Sequence, residues 1–213
     1  MHFADFQVLT FDCYGTLINW EPGILNELRP WVRAHGRELA DDEILRGFGA
    51  VELRHEAAMP KRLYPQILAT TFHELGRRWE IPTTDAEAAA FGASVGRWPA
   101  FPDSAPSLQY LKQYHKLVIL SDVDRASFAK TNEQLQVEFD RIITAEEGSC
   151  KPHALTSSIK SKANSVFVLK VISSGTPASF RRTGSLIHGS GRYKAQSRGV
   201  LDSSVPRSNV TAT

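Results

Sequence analysis

Apolar positions run in two rhythms along this chain. Val8-Leu9-Thr10-Phe11 is a continuous apolar run that stops at Asp12 and breaks at Gly15. It predicts a buried strand over 7–12. From 20 to about 97 the apolar residues recur at helical spacing instead. One helix opens near Glu21-Pro22 and carries Ile24, Leu25, Leu28 and Val32. A second begins at Asp41-Asp42-Glu43, acids that suit the positive end of a helix dipole, and carries Ile44, Leu45, Phe48, Val51 and Leu53. Gly47 and Gly49 lower the helix propensity of that stretch. Tyr64–Trp79 is strongly amphipathic, ending before Ile81-Pro82, and Ala86–Val95 is a helix of small residues. After Trp98-Pro99 strands and helices alternate: a helix over Ser107–Tyr114, a strand over Leu117–Leu120, a helix over Arg125–Leu135, a short strand over Phe139–Ile143. Such alternation predicts a parallel sheet.

The helical block over 20–97 is too long for a simple strand–helix connection. It predicts an inserted cap, so the expected domains are an α/β core over 1–19 and 98–152 and a helical cap over 20–97. The last stretch, 153–213, differs in kind. It has nine Lys and Arg against one acid, Asp202, a net +8, whereas the first 152 residues carry −6. This basic, Ser-rich tail leans by composition toward disorder, and only Ser165–Ile172 predicts a strand. The later core strands are therefore expected to be missing, as a truncation or a reading-frame shift would leave them. Two cysteines, Cys13 and Cys150, are too few for a disulfide framework. No signal peptide and no membrane span are legible, so a reducing cytoplasm is the expected compartment.

The chemistry concentrates where the predicted strands end. In an open α/β sheet the ligand site lies outside the carboxyl ends of the strands. The first strand ends in Asp12, and Tyr14-Gly15-Thr16 follows; the second ends in Ser121-Asp122; the third leads to a loop carrying Lys151. A carboxylate held at a strand end can act as a covalent nucleophile. A nearby lysine would hold it ionised.

The run Phe11-Asp12-Cys13-Tyr14-Gly15-Thr16-Leu17, with Ser121-Asp122-Val123-Asp124-Arg125 and Lys151-Pro152, resembles the motifs of the haloacid dehalogenase superfamily. More narrowly it resembles the 2-haloacid dehalogenase branch, over residues 3 to about 152. The resemblance implies a Rossmann-like parallel core with a helical cap after the first strand. It implies Asp12 as nucleophile, Lys151 as its catalytic partner, and Thr16, Tyr14, Ser121 and Asp122 around the substrate. A cap arginine is expected to meet the substrate carboxylate or the halide, with Arg46 the first choice and Arg54 the second. Phosphatases of the superfamily carry an acid where Tyr14 stands, to protonate the leaving alcohol; a halide needs no such proton. Asp122 stands where the family typically has asparagine.

The implied reaction is displacement of halide from a 2-haloalkanoate by Asp12, then hydrolysis of the aspartyl ester to the 2-hydroxy acid. The resemblance implies inversion, preference for the S enantiomer, and no cofactor. Mg²⁺ enters only with the alternative of a superfamily phosphatase. A non-catalytic relative is the other alternative. The expected partner is a small 2-haloacid-like molecule, with a homodimer compatible with the family. No membrane partner is expected, and no nucleic-acid-binding module accompanies the basic tail.

Overall fold

A computed structural model describes residues 7–147 and the backbone of three further strands, 166–169, 183–188 and 191–196. The order is β1 (Val8–Phe11), α1 (Trp20–Ala34), α2 (Asp41–Ala58), α3 (Tyr64–Trp79), α4 (Asp85–Gly92), α5 (Ser104–Lys112), β2 (Lys116–Leu120), α6 (Arg125–Leu135), β3 (Arg141–Ile143), β4 (Val166–Leu169), β5 (Thr183–His188) and β6 (Gly191–Gln196). The strands form one sheet in the order β3-β2-β1-β4-β5-β6. β3, β2, β1 and β4 run parallel, with Phe11 opposite Ile119 and Leu169. β5 and β6 are antiparallel additions on the β4 edge. The strand that ends in Asp12 is thus flanked on both sides, which explains why Leu9 and Phe11 are buried and why its sequence reads as unbroken apolar residues.

The expected helices form, with informative differences. α2 runs unbroken through both glycines. Gly47 is a contact requirement, since a Cβ there would lie 2.9 Å from the Trp79 ring, whereas Gly49 faces open space. The helix expected over Ala86–Val95 stops at Gly92, where a Cβ would strike the Pro65 carbonyl at 2.4 Å, and a 3-10 turn continues over Ala93–Arg97. α5 starts at Ser104, three residues early, because Pro106 sits within the first turn, where its missing N–H costs nothing. β3 is shorter than expected. Phe139 is instead buried against Phe128 at 6.0 Å, and the Asp140 carboxylate accepts from Leu117 N–H (2.8 Å) and Lys112 Nζ (2.6 Å).

The tail reading needs one correction. The strand expected within Ser165–Ile172 is β4, but it is followed by β5 and β6, which composition did not reveal. Thr183, Ile187 and Tyr193 suit a pleated surface, and only Gly189-Ser190 separates the strands in sequence, the length a tight hairpin takes.

The helices α1–α4 stand between β1 and β2 as an insertion with its own aromatic centre: Trp31 meets Phe72 at 4.4 Å, and Phe72 meets Phe91 at 5.4 Å. The two passages between insertion and sheet are tied together. Asn19 N–H donates to the Pro99 carbonyl, Phe101 N–H to the Leu17 carbonyl, and Ser104 Oγ to the same carbonyl at 2.7 Å. Trp98, 2% exposed, fills the junction. No helix among the described residues is long and apolar enough to cross a membrane.

Candidate active site

Asp12 follows β1 directly and is half-buried, and its Oδ1 accepts from the Cys13 N–H at 2.9 Å. Behind it the chain folds into a tight turn. Cys13 C=O receives the N–H groups of Thr16, Leu17 and Ile18, while Gly15 N–H donates to Ile18 C=O. Gly15 adopts φ +83°, which a side chain would disfavour. Cys13 and Thr16, within the turn, are buried. Burial pushes the Cys13 thiol up, and the charge of Asp12 adds to the effect. That thiol is a packing group, without thiolate chemistry.

Tyr14 turns away from solvent. Its ring meets Trp98 edge-on at 5.8 Å and its hydroxyl hydrogen-bonds Thr131 Oγ1 at 2.7 Å. Burial raises this phenol far above its ordinary range. It is a poor proton donor at the position where a phosphatase would place its acid.

Ser121 follows β2, buried, and its N–H donates to the Ile143 carbonyl at the end of β3. Its hydroxyl accepts from Val123 N–H at 3.4 Å and so shapes the turn. Asp122 beside it is exposed. Asp124 is buried; its Oδ1 caps α6 through Ser127 N–H at 2.9 Å, and its Oδ2 has no hydrogen-bond partner among the described residues. The Arg125 guanidinium pairs with Glu147, and its N–H donates to Glu146. Lys151 and Cys150 lie outside the described residues.

Both arginines expected to serve the cap lie at its surface. Arg46 lies on the outer face of α2, its side chain 75% exposed and paired with Asp42 one turn earlier. Arg54 is also exposed and pairs with Glu74 of α3, which also holds His55 at 2.8 Å. The buried stripe of α2 passes through Ile44, Gly47, Phe48 and Val51, so Arg46 falls on the opposite side by helical geometry.

That same stripe continues into residues that sequence reasoning missed, Glu52 and Glu56. Tyr64 Oη donates to Glu52 Oε1 at 2.8 Å, and the Tyr64 ring meets Trp98 edge-on at 6.2 Å, the same indole that Tyr14 meets. Burial raises Glu52, while the Tyr64 bond opposes the rise. Burial, then the charges of Glu52 and Asp122, pushes Glu56 up to about 7. Glu52 is thus bonded within the insertion, and Glu56 senses the charge of Asp122 after β2. The signal in the sequence was an apolar stripe that turns acidic at helical spacing after Val51.

No family model matches the chain, and no curated protein sequence does. Solved structures do. A defluorinating L-2-haloacid dehalogenase superposes with TM-score 0.64 at 16% identity, covering 76% of this chain and 72% of that one. The L-2-haloacid dehalogenase of Xanthobacter autotrophicus with chloropropionic acid covalently bound gives 0.62 at 18% identity, covering 76% and 69%. A magnesium-bound HAD-hydrolase of Bacillus subtilis gives 0.55 at 15% identity, covering 67% and 66%. The fold is therefore that of the haloacid dehalogenase-like α/β proteins. At these identities the likeness is one of architecture.

Proposed function

We propose that this chain is a hydrolase of the haloacid dehalogenase type that cleaves carbon–halogen bonds in 2-haloalkanoates. The observation that carries the reading is the pairing of Asp12 with Tyr14. A carboxylate stands at the end of the central parallel strand, and its Oδ1 accepts from the Cys13 N–H. The group two residues on is a buried phenol tied to Thr131, not an acid. Such a site supports attack on carbon but does not assist departure of an alkoxide.

In the proposed reaction one Asp12 oxygen attacks the α-carbon and the carbon–halogen electron pair leaves as halide. Water then adds to the Asp12 carbonyl carbon, the 2-hydroxy acid departs, and one proton is released to solvent. Splitting the displacement in this way avoids generating hydroxide. The insertion α1–α4 acts as the cap that excludes water during the first step. Lys151 is proposed as the cation that keeps Asp12 ionised, Ser121 and Thr16 as hydrogen-bonding groups near it. The displacement needs no cofactor.

Halide release from (S)-2-chloropropionate tests the proposal, with Asp12→Asn as control. Release from the S form only, abolished in the variant, is the expected result. A single turnover in H₂¹⁸O should leave the label on Asp12 and not in the product. Magnesium-dependent release of phosphate from p-nitrophenyl phosphate, without halide release, would move the assignment to the phosphatases.

A further inference from the structure

The chain leaves the insertion over 96–101, and one side chain of the core grips that passage. Gln134 of α6 donates from Nε2 to the Trp98 carbonyl at 3.0 Å and reaches the Gly96 carbonyl at 3.5 Å, while its Oε1 accepts from the Ala100 N–H at 3.3 Å. Two carbonyls call for an NH₂ and one N–H for an oxygen, so a carboxamide suits all three. The same helix meets the passage by close approach: a Cβ on Gly96 would lie 2.8 Å from Lys130 Cβ and 3.3 Å from the Ser127 carbonyl oxygen. One turn before Gln134, Thr131 bonds the Tyr14 hydroxyl at 2.7 Å. Ser127, Lys130, Thr131 and Gln134 follow the i, i+3, i+4, i+7 spacing of one helix face. That face therefore holds two things at once, the turn that begins at Asp12 and the passage out of the insertion. Trp98 joins them, since its ring meets Tyr14 at 5.8 Å and Tyr64 of α3 at 6.2 Å, and its Nε1 donates to Ser94 Oγ.

We infer that Gln134 is a positioning residue of this site: it locks the passage 96–101 to α6, on the face that also holds the Asp12 turn, and so keeps the insertion closed over Asp12. The inference rests on the reading that the insertion serves as the cap of the reaction at Asp12. The first passage is tied to the core by Ser104 Oγ on the Leu17 carbonyl, and Gln134 does the same for the second. Without the carboxamide the second passage is released from α6, and a substrate has to capture a closed insertion that is less populated. Apparent affinity falls by that fraction, while the displacement in the closed state is unchanged.

The test uses Gln134→Met, which keeps the length of the side chain and removes its hydrogen bonds. Ile143→Val is the control, a buried change in β3 that weakens the fold away from the passage. Amide hydrogen exchange of the whole chain needs no turnover. The Asn19 and Phe101 amides bridge the two passages, on the Pro99 and Leu17 carbonyls. In Gln134→Met both should exchange about tenfold faster, because their opening breaks the Gln134 bonds. In Ile143→Val both should keep the wild-type rate, because a local opening leaves β3 intact. Unchanged exchange in Gln134→Met, or equal acceleration in Ile143→Val, overturns the inference. A measurement on wild type stands even if Gln134→Met does not fold. There Ala100, Asn19 and Phe101 should open together, with protection equal within about threefold; an Ala100 amide exchanging faster than that overturns it. In turnover, Gln134→Met should raise the KM for (S)-2-chloropropionate about tenfold with kcat nearly unchanged, and Ile143→Val should move neither. An unchanged KM in Gln134→Met, beside active wild type, sinks this inference alone. Absence of halide release from wild type, with the exchange pattern intact, sinks the dehalogenase reading alone.

Discussion

At the scale of single residues, the proposed chemistry turns on what Tyr14 is not. Its hydroxyl is committed to the buried Thr131, and burial holds its proton tightly. Tyr14→Phe should therefore leave halide release within about threefold of wild type, because losing a general acid typically costs 10²–10⁴-fold. The same change strands the Thr131 hydroxyl, and stability should fall by about 1 kcal/mol. A drop in kcat of a hundredfold or more, in a variant whose far-ultraviolet dichroism shows it still folded, would restore Tyr14 as a proton donor. Arg46 teaches the converse. Its residue type fitted the charge of the proposed substrate, but its register on α2 put it in water beside Asp42.

At the scale of elements, α2 does two jobs with one face. Its first half packs Ile44, Gly47 and Phe48 into the insertion, and its second half carries Glu52, bonded to Tyr64, and Glu56, raised by burial and like charge. The two glycines separate packing from propensity. Gly49→Ala meets nothing and should stabilise by about 0.5–1 kcal/mol through helix propensity. Gly47→Ala gains the same propensity but drives a methyl to 2.9 Å from the Trp79 ring, itself packed against Trp31. Overpacking costs about 1–3 kcal/mol, so this variant should be less stable than Gly49→Ala and at or below wild type. Urea midpoints of the two variants, measured side by side, check the order.

At the scale of the whole molecule, insertion and sheet share one apolar cluster, running from Leu9 and Phe11 through Ile18 and Trp98 to Phe48 and Phe72. The crossing segments are bound to each other by backbone and by Ser104. Unfolding should therefore be a single transition. All four tryptophans lie within 20–98, so their fluorescence reports the insertion and its junction, and far-ultraviolet dichroism reports the whole chain. The two curves should coincide in wild type and in Ser104→Ala. The variant should lose only about 1 kcal/mol, because the Leu17 carbonyl keeps the Phe101 N–H. Separate transitions would show that the insertion folds as a unit of its own.

Much of this architecture was legible along the chain, and for a local reason. The limits of α3 and α6 are those the pattern predicts, since a 3.6-residue apolar period ending at Trp79 or Leu135 is written in the sequence itself. The strand–Asp–turn of β1 was equally plain, because Gly15 and the apolar run are neighbours in sequence. The strands β5 and β6 escaped because β5 is held against β4, which precedes it by more than a dozen residues, and a weakly apolar strand becomes one only against a sheet. The acidic face of α2 escaped for the same reason. By itself the sequence determined the elements and the order of the strand-end residues. Tertiary structure alone decided that Arg46 meets water, that Tyr14 is sealed against Trp98, and that Glu56 feels Asp122. Burial and the distance between charges are properties of chain segments brought together from far apart, and no local spacing encodes them.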